Sequence, residues 1–225
     1  MNYFQTVAAI VRKDLLHELK SREIVVSMLL FSILTVVVFS FIFEPGSEFK
    51  NRVVGGILWM SVTFAGILGL NKSMMSEVTG GNFSALLLAP VDRSAIFFGK
   101  AISNFLFMAM VEAVTIPLFM VLYNVYIFNS GYMPLLVFFL GTYGFAVLGT
   151  LFSIISVNTR TREVMLPLLL LPVMVPVILS SVQALNIFVL GDDIVESYKW
   201  LKLLGVFDTI FTVVVFAVFD FIVED

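Results

Sequence analysis

The sequence predicts an all-α membrane protein with six transmembrane helices, preceded by an amphipathic helix that lies in the membrane interface. Of the 225 residues, 60% are hydrophobic and only 13% are charged, and the mean hydropathy is +1.06. Soluble domains contain about a quarter charged residues, so an aqueous core could not bury this much apolar surface. Alternating segments of about ten residues, which are typical of membrane β-barrels, are absent.

Six apolar stretches are long enough to cross the hydrocarbon core of a bilayer, which needs roughly 20 residues. No polar segment between them is long enough for a soluble domain, so residues 1–225 are expected to form a single transmembrane domain. The predicted spans cover residues 24–43, 53–70, 101–123, 133–157, 164–185 and 200–223.

The positions of Lys and Arg predict the orientation of these spans. With the amino terminus inside, nine of the 13 basic residues lie on the inner face and four lie on the outer face. Cytoplasmic loops carry the excess of basic residues in membrane proteins. Both termini are therefore expected to be cytoplasmic.

Residues 1–23 predict the amphipathic interfacial helix, because apolar residues recur there on one helical arc and basic residues lie off it. Glu18 breaks this pattern, and His17 lies on the polar face, where we expect it to be solvated. A membrane anchor and a helix that also contacts a cytoplasmic partner both fit the pattern. The apolar arc comprises Phe4, Val7, Ala8, Val11, Leu15 and Leu19.

Residues 71–100 form the largest inner loop, and its first part predicts a surface that contacts a partner. A short helix over 71–79 would end at two glycines. Adaptable apolar side chains beside an acidic residue suit protein contact, although a helix on the membrane surface gives the same pattern. The candidate contact residues are Met74, Met75, Glu77, Val78, Gly80, Gly81, Asn82 and Phe83.

Within the predicted spans, one acid and four prolines are functional candidates. An ionised carboxylate near the middle of a span is costly, so Glu112 must be protonated, paired or exposed to a wet cavity. A functional acid and a structural hydrogen bond to a neighbouring helix both fit. Each proline removes a backbone donor and allows either a moving or a fixed bend. The candidates are Glu112, Pro117, Pro167, Pro172 and Pro176.

Acidic residues also mark the outer face and two helix starts. Residues 191–196 predict the start of a short amphipathic helix at the outer surface. Asp192 and Asp193 fit an N-cap better than a metal site, and Asp92 is a predicted N-cap of the third span. Asp208 is expected to lie close enough to the outer boundary to reach water.

Composition excludes several function classes. Lys and Arg total 13 against 16 acidic residues, which argues against a nucleic-acid-binding surface. Zero cysteines exclude disulfides and thiolate metal sites, and a single histidine leaves little for metal or haem ligation. The sequence has no G-x-x-x-x-G-K-[ST] phosphate loop and no constellation of catalytic side chains across the spans, so no enzyme activity is expected.

Two motifs resemble one known family. The first combines Glu77, Gly81, the leucine triplet at 86–88, Pro90 and Gly99-Lys100; the second is the proline-punctuated stretch 162–178. Together with the six-span plan, they resemble the cytochrome c maturation protein B, or haem exporter protein B, family of ABC-2-type membrane subunits.

The resemblance implies a permease-like subunit of a bacterial inner-membrane ABC transporter complex for cytochrome c maturation. A coupling helix within 74–83 would dock on an ATPase, and ATP hydrolysis by that partner would drive haem export or release of the haem-loaded chaperone. No cofactor is expected on this chain itself: ATP would bind the partner subunit, and partner proteins would handle haem. The implied partners are a CcmA-like ABC ATP-binding subunit, a second copy of the chain, a CcmC-like haem-handling membrane protein, a small CcmD-like accessory subunit, a CcmE-like haem chaperone and the lipid bilayer.

Two alternatives stay open at this point. One is an ABC-2-type exporter subunit for another substrate, such as a drug, lipid or glycan. The other is a structural assembly subunit without a transport path.

Overall fold

The computed structural model describes residues 2–42, 48–80, 86, 88, 90–157 and 161–222, and this part of the chain is helical. It contains seven α-helices and one short 3-10 helix. The α-helices are α1 (Tyr3–Ser21), α2 (Glu23–Ile42), α3 (Glu48–Thr79), α4 (Arg93–Tyr123), α5 (Met133–Val157), α6 (Arg162–Leu190) and α7 (Ile194–Ile222), and the 3-10 helix covers Ile127–Ser130.

The helices α2 to α7 are long and apolar enough to span a membrane, which confirms the predicted six spans. Contacts between helix ends show that α3 runs antiparallel to α2 and to α4: Gly69 lies against Met28, and Glu77 is bonded to Lys100. The C-terminal end of α3 and the N-terminal end of α4 therefore meet on one side of the bundle, and α1 packs against α4 there. We call this side the α1 end.

The core of the bundle is built around α3 and α5. The first contacts α2, α4, α5 and α6, and the second contacts α3, α4, α6 and α7. Aromatic side chains fill the space between them: Trp59 of α3 is buried and stacks on Phe138 of α5, with ring centroids 5.9 Å apart. In contrast, α2 and α7 bury only a small share of their residues, as helices that face lipid do.

Three predicted helix boundaries are wrong. Residues 71–79 are not a separate helix, because α3 continues unbroken to Thr79 with no glycine or proline between 70 and 79 to stop it. Helix α6 continues beyond 185 to Leu190 and ends at Gly191, whose φ of 74° gives the left-handed C-cap. The predicted short outer helix is the beginning of α7, which starts at Ile194.

Helix α1 packs on the protein through a face that the sequence analysis did not identify. Its buried residues are Thr6, Ile10, Asp14 and Glu18, whereas Phe4 and Leu19 of the predicted arc are exposed. Glu18 therefore does not break the pattern of the fold. Its carboxylate accepts hydrogen bonds from the backbone amides of Val25 at 2.8 Å and Ile24 at 3.3 Å, which caps the start of α2.

The predicted N-caps have different outcomes. Asp193 caps α7, because its Oδ1 accepts a hydrogen bond from the backbone amide of Val195 at 3.0 Å. Asp92 does occupy the N-cap position of α4, but its side chain makes no capping hydrogen bond. Its backbone carbonyl accepts the bond from Ala95 instead, at 3.0 Å.

Candidate functional site

Four charged side chains from three helices meet at the α1 end. Lys100 of α4 donates hydrogen bonds to both carboxylate oxygens of Asp14 on α1, at 2.9 and 3.0 Å. Lys100 Nζ and Lys13 Nζ both donate to Oε1 of Glu77 on α3, at 2.5 and 2.6 Å. We call these four residues the charge cluster. It ties α1 and α4 to the last turns of α3.

The charge cluster is neutral and mostly buried. The exposed fraction of the side chain is 2% for Lys100, 6% for Asp14 and 7% for Glu77, against 44% for Lys13. Two cations balance two carboxylates, so each buried charge has a partner of opposite sign. The pKa of Lys13 lies above its ordinary value of 10.5: partial burial lowers it, but the hydrogen bond to Glu77 and the negative charge of Asp14 more than compensate.

A close contact between α1 and α4 brings Asp14 and Lys100 of the charge cluster together. A Cβ atom added to Gly99 would lie 2.9 Å from Cβ of Ile10, so α1 approaches α4 more closely there than another residue would allow. Asp14 follows Ile10 by one helical turn on the same face, and Lys100 follows Gly99 directly. The two side chains are thereby brought together across the helix contact.

A cavity of about 440 Å³ adjoins the cluster. Its lining is partly charged and partly apolar, and His17, an exposed residue as expected, borders it. Within the described ranges, no group of three or more His, Cys, Asp or Glu side chains is placed to hold a metal ion. Besides the charge cluster and His17, the cavity is lined by Ile24, Ser73, Ser76, Leu86 and Phe107.

The predicted contact residues of the inner loop have different environments. Glu77 is engaged in the charge cluster, and Met74 is buried in an apolar cluster with Phe97 of α4, so neither side chain is presented to a partner. Met75 is half-buried. Val78 and Gly80 are exposed at the tip of α3, whereas Gly81, Asn82 and Phe83 lie outside the described residues. The docking role of this segment stays a prediction.

Sequence reasoning missed Lys13, Asp14 and Lys100 as members of the site. A signal was present for α1, because Asp14 and Glu18 are one turn apart and share a face with Ile10. That face was not recognised as the buried one. The pairing of Asp14 with Lys100 joins residues 86 positions apart in the chain, which no local pattern reveals.

The intramembrane candidates lie within continuous helices. Glu112 is buried in α4, and Thr142 of α5 donates a hydrogen bond to its Oε1 at 2.5 Å, so the acid faces the interior of the subunit. Asp208 of α7 is buried as well, and the prediction that it reaches water is wrong. Pro117 lies inside α4, and Pro167, Pro172 and Pro176 lie inside α6.

Comparison with known proteins agrees with this architecture. The family described as "CcmB protein" matches residues 5–222. A protein from Rhodobacter capsulatus named heme exporter protein B is 30% identical over 156 residues, which cover 69% of this chain and 71% of that protein. The protein of the same name from Bradyrhizobium diazoefficiens is 22% identical over 82% of this chain and 83% of its own length. The chain is therefore a member of the CcmB protein family.

Proposed function

We propose that this chain is the permease-like membrane subunit of an ABC transporter complex for haem export during cytochrome c maturation. Four relatives are named heme exporter protein B, and the family covers nearly the whole chain. The coupling part of the proposal rests on helix α3. This helix crosses the bundle, contributes Glu77 to the charge cluster near its end, and finishes in an exposed tip.

The tip of α3 is the proposed docking element for the ATP-binding subunit. Val78, Thr79 and Gly80 are exposed beyond the charge cluster. Glu77 lies one residue before the tip and is paired with both α1 and α4, so a displacement of the tip would pass to all three helices together. ATP hydrolysis on the partner would thereby move the membrane bundle without any nucleotide site in this chain.

Helix α1 is the proposed interfacial elbow of an ABC-2-type architecture. Its exposed apolar residues, among them Phe4 and Leu19, would lie in the membrane interface, while Asp14 and Glu18 hold it on the protein. The α1 end carries most of the basic residues, which supports a cytoplasmic position for this end and for both termini. The six candidate spans and the bacterial relatives support a multi-pass protein of the inner membrane.

Other subunits of the proposed complex bind ATP and handle haem. ATP is bound by a CcmA-like subunit, and haem is handled by a CcmC-like membrane protein, a CcmD-like accessory subunit and a CcmE-like chaperone. A second copy of the chain completes the membrane part. In this proposal the chain is non-catalytic and binds neither ATP nor haem directly.

Affinity purification of the chain from mild detergent tests the proposal. We expect an ATP-binding subunit and a haem-handling membrane protein to co-purify, with the haem absorbance assigned to a partner. Recovery of an ATP-binding subunit without haem proteins would favour an exporter of another substrate. Absence of any ATP-binding subunit would overturn the proposal.

A pair of matched variants makes the test specific for the α3 tip. Val78→Asp places a charge on the exposed tip, and Val195→Asp places the same charge on an exposed residue at the start of α7, on the opposite side of the bundle. We expect Val78→Asp to lower recovery of the ATP-binding subunit several-fold and Val195→Asp to leave it unchanged. Equal recovery with both variants would contradict docking at the tip.

A further inference from the structure

Asp208 of α7 is a buried carboxyl group without a hydrogen-bond partner. The residue is 5% exposed, and neither of its side-chain oxygens is bonded to any of the described residues. Buried carboxylates are normally paired with a cation or with several hydrogen-bond donors. Asp208 departs from this rule. The proposed coupling mechanism does not involve it.

The side chain of Asp208 fits into a notch on α5. At Gly144 an added Cβ atom would overlap Oδ1 of Asp208, and the same Cβ would be in contact with Val177 of α6, 3.6 Å away. The carboxyl group thus occupies the space left by the missing side chain at 144. A Cβ atom at position 144 could be accommodated only if the Asp208 carboxyl group shifted out of this space.

The notch lies near the middle of the helix bundle. Asp208 is the central residue of α7, which runs over the 29 residues Ile194–Ile222. Gly144 is close to the centre of α5 (Met133–Val157), and Val177 is close to the centre of α6 (Arg162–Leu190). Three helices independently place the carboxyl group at the depth where a spanning bundle is furthest from water.

Within the described part of the chain, no basic side chain is paired with Asp208. The sequence contains no Lys or Arg in residues 101–159, 163–198 or 203–225, which include most of the helices α4 to α7. Helices α4, α5 and α6 pack against α7, and the described polar groups in their middle turns include Glu112, Tyr143 and Ser181. Tyr143 is bonded to Thr212 at 3.0 Å, one turn from Asp208, and the hydroxyl of Ser181 is also unpartnered.

Glu112 lies on the other side of α5. Thr142, which binds Glu112, and Gly144, which receives Asp208, are two residues apart and therefore point in nearly opposite directions from the helix. Helix α5 is thus flanked by two buried acids at a similar depth. Among the described residues, Glu112 has a hydrogen-bond donor in Thr142, whereas Asp208 has none.

We propose that Asp208 is a membrane-embedded proton-binding site. An ionised carboxylate without a partner is strongly disfavoured in the hydrocarbon region, and the protonated acid is far less so. Helix α7 therefore packs on the Gly144 notch with the Asp208 carboxyl protonated. Release of the proton requires α7 to move away from α5, so that the carboxylate gains water.

Infrared spectroscopy of the purified full-length chain tests this proposal directly. The C=O stretch of a protonated carboxyl group is separate from the bands of carboxylates and amides. We expect the spectrum of the wild type minus that of Asp208→Asn, near neutral pH, to contain one protonated carboxyl band. Asparagine resembles the neutral acid, and Glu112→Gln identifies the band of the second acid. A difference spectrum that contains only a carboxylate band would overturn the proposal.

A glycine pair tests the geometry. Gly144→Ala fills the notch, whereas Gly205→Ala, on α7 one turn before Asp208, adds a methyl group that meets nothing within 4 Å. We expect Gly144→Ala to shift or abolish the protonated band of Asp208 and Gly205→Ala to leave it unchanged. An unchanged band in a folded Gly144→Ala variant would contradict the notch. If that variant does not fold, the comparison of wild type with Asp208→Asn still decides.

Discussion

Replacement of Lys100 by methionine is the most informative perturbation of the charge cluster. Methionine keeps the length and apolar stem of the side chain but removes the cation. Asp14 and Glu77 then stay buried with Lys13 as their remaining cation, and Lys13 is bonded to Glu77 at 2.6 Å and lies 3.3 Å from Asp14. The cluster acquires one uncompensated negative charge.

The expected loss of stability follows from the burial of Asp14 and Glu77, the partners of Lys100. The side chains of Asp14 and Glu77 are 6% and 7% exposed, so both carboxylates stay largely desolvated when the cation is removed. Removal of one partner from a buried ion pair costs about 3–5 kcal/mol. We expect Lys100→Met to lower the free energy of unfolding by an amount in this range.

Lys72→Met is the matched control. Lys72 lies on the same end of α3, is exposed, and donates a hydrogen bond to Ser27 at 2.6 Å. Exposed contacts of this kind contribute less than about 1 kcal/mol. Unfolding of both variants would be followed in mixed micelles with increasing denaturing detergent, alongside the amount of folded protein in the membrane.

A double variant distinguishes charge imbalance from loss of packing. Lys100→Met combined with Asp14→Asn leaves the neutral pair of Glu77 and Lys13. We expect this second change to recover more than half of the lost stability, because the excess negative charge is gone. Equal stability of Lys100→Met and Lys72→Met, or a further loss in the double variant, would refute the reasoning.

Three further outcomes follow from the structure. Lys13→Met should destabilise the chain less than Lys100→Met, because Lys13 is 44% exposed, and the same unfolding assay orders the two. Glu18→Ala should cost about 1 kcal/mol, as loss of a helix cap does, because the first amides of α2 lose their acceptor; a loss no larger than for Glu23→Ala would contradict this. Glu112→Leu leaves the buried hydroxyl of Thr142 without its acceptor and should cost about 1–3 kcal/mol, whereas Glu112→Gln keeps an acceptor and should cost less. Full cytochrome c maturation with Glu112→Leu would exclude a mechanistic role for this acid.

The spans could be predicted from the sequence because their signal is local. A run of apolar residues of sufficient length is visible without any knowledge of the neighbours, and the predicted boundaries 133–157 match α5 at both ends. The continuation of α3 to Thr79 was missed because a polar run was taken as a helix boundary. Polar residues end a membrane span but do not by themselves end a helix.

The predicted position of Asp208 depended on where the last helix was taken to start. Prediction placed the start of the last span at residue 200, whereas α7 starts at Ile194. From that start, the sequence analysis placed Asp208 close to the outer surface. In the structure, Asp208 is the central residue of the helix. The Gly144 notch could not have been found from the sequence, because it depends on the rotation of α7 against α5.

The buried face of α1 was unpredictable for a different reason. In a membrane protein, an apolar arc faces either lipid or protein, and periodicity does not distinguish the two. The buried acids Asp14 and Glu18 are explained only by groups elsewhere in the chain, namely Lys100 and the first amides of α2. Partners outside α1, a cation on α4 and backbone amides at the start of α2, therefore determine which face is buried.

Site-specific cross-linking at the tip of α3 tests the central claim most directly. The chain has no cysteine, so Val78→Cys and Val195→Cys each introduce a single reactive thiol, at exposed positions on opposite sides of the bundle. In membranes that contain the assembled complex, we predict that a thiol-to-amine cross-linker joins position 78, and not position 195, to an ATP-binding subunit. Cross-linking of that subunit from position 195, or from neither position while the complex is intact, would contradict coupling through the tip of α3.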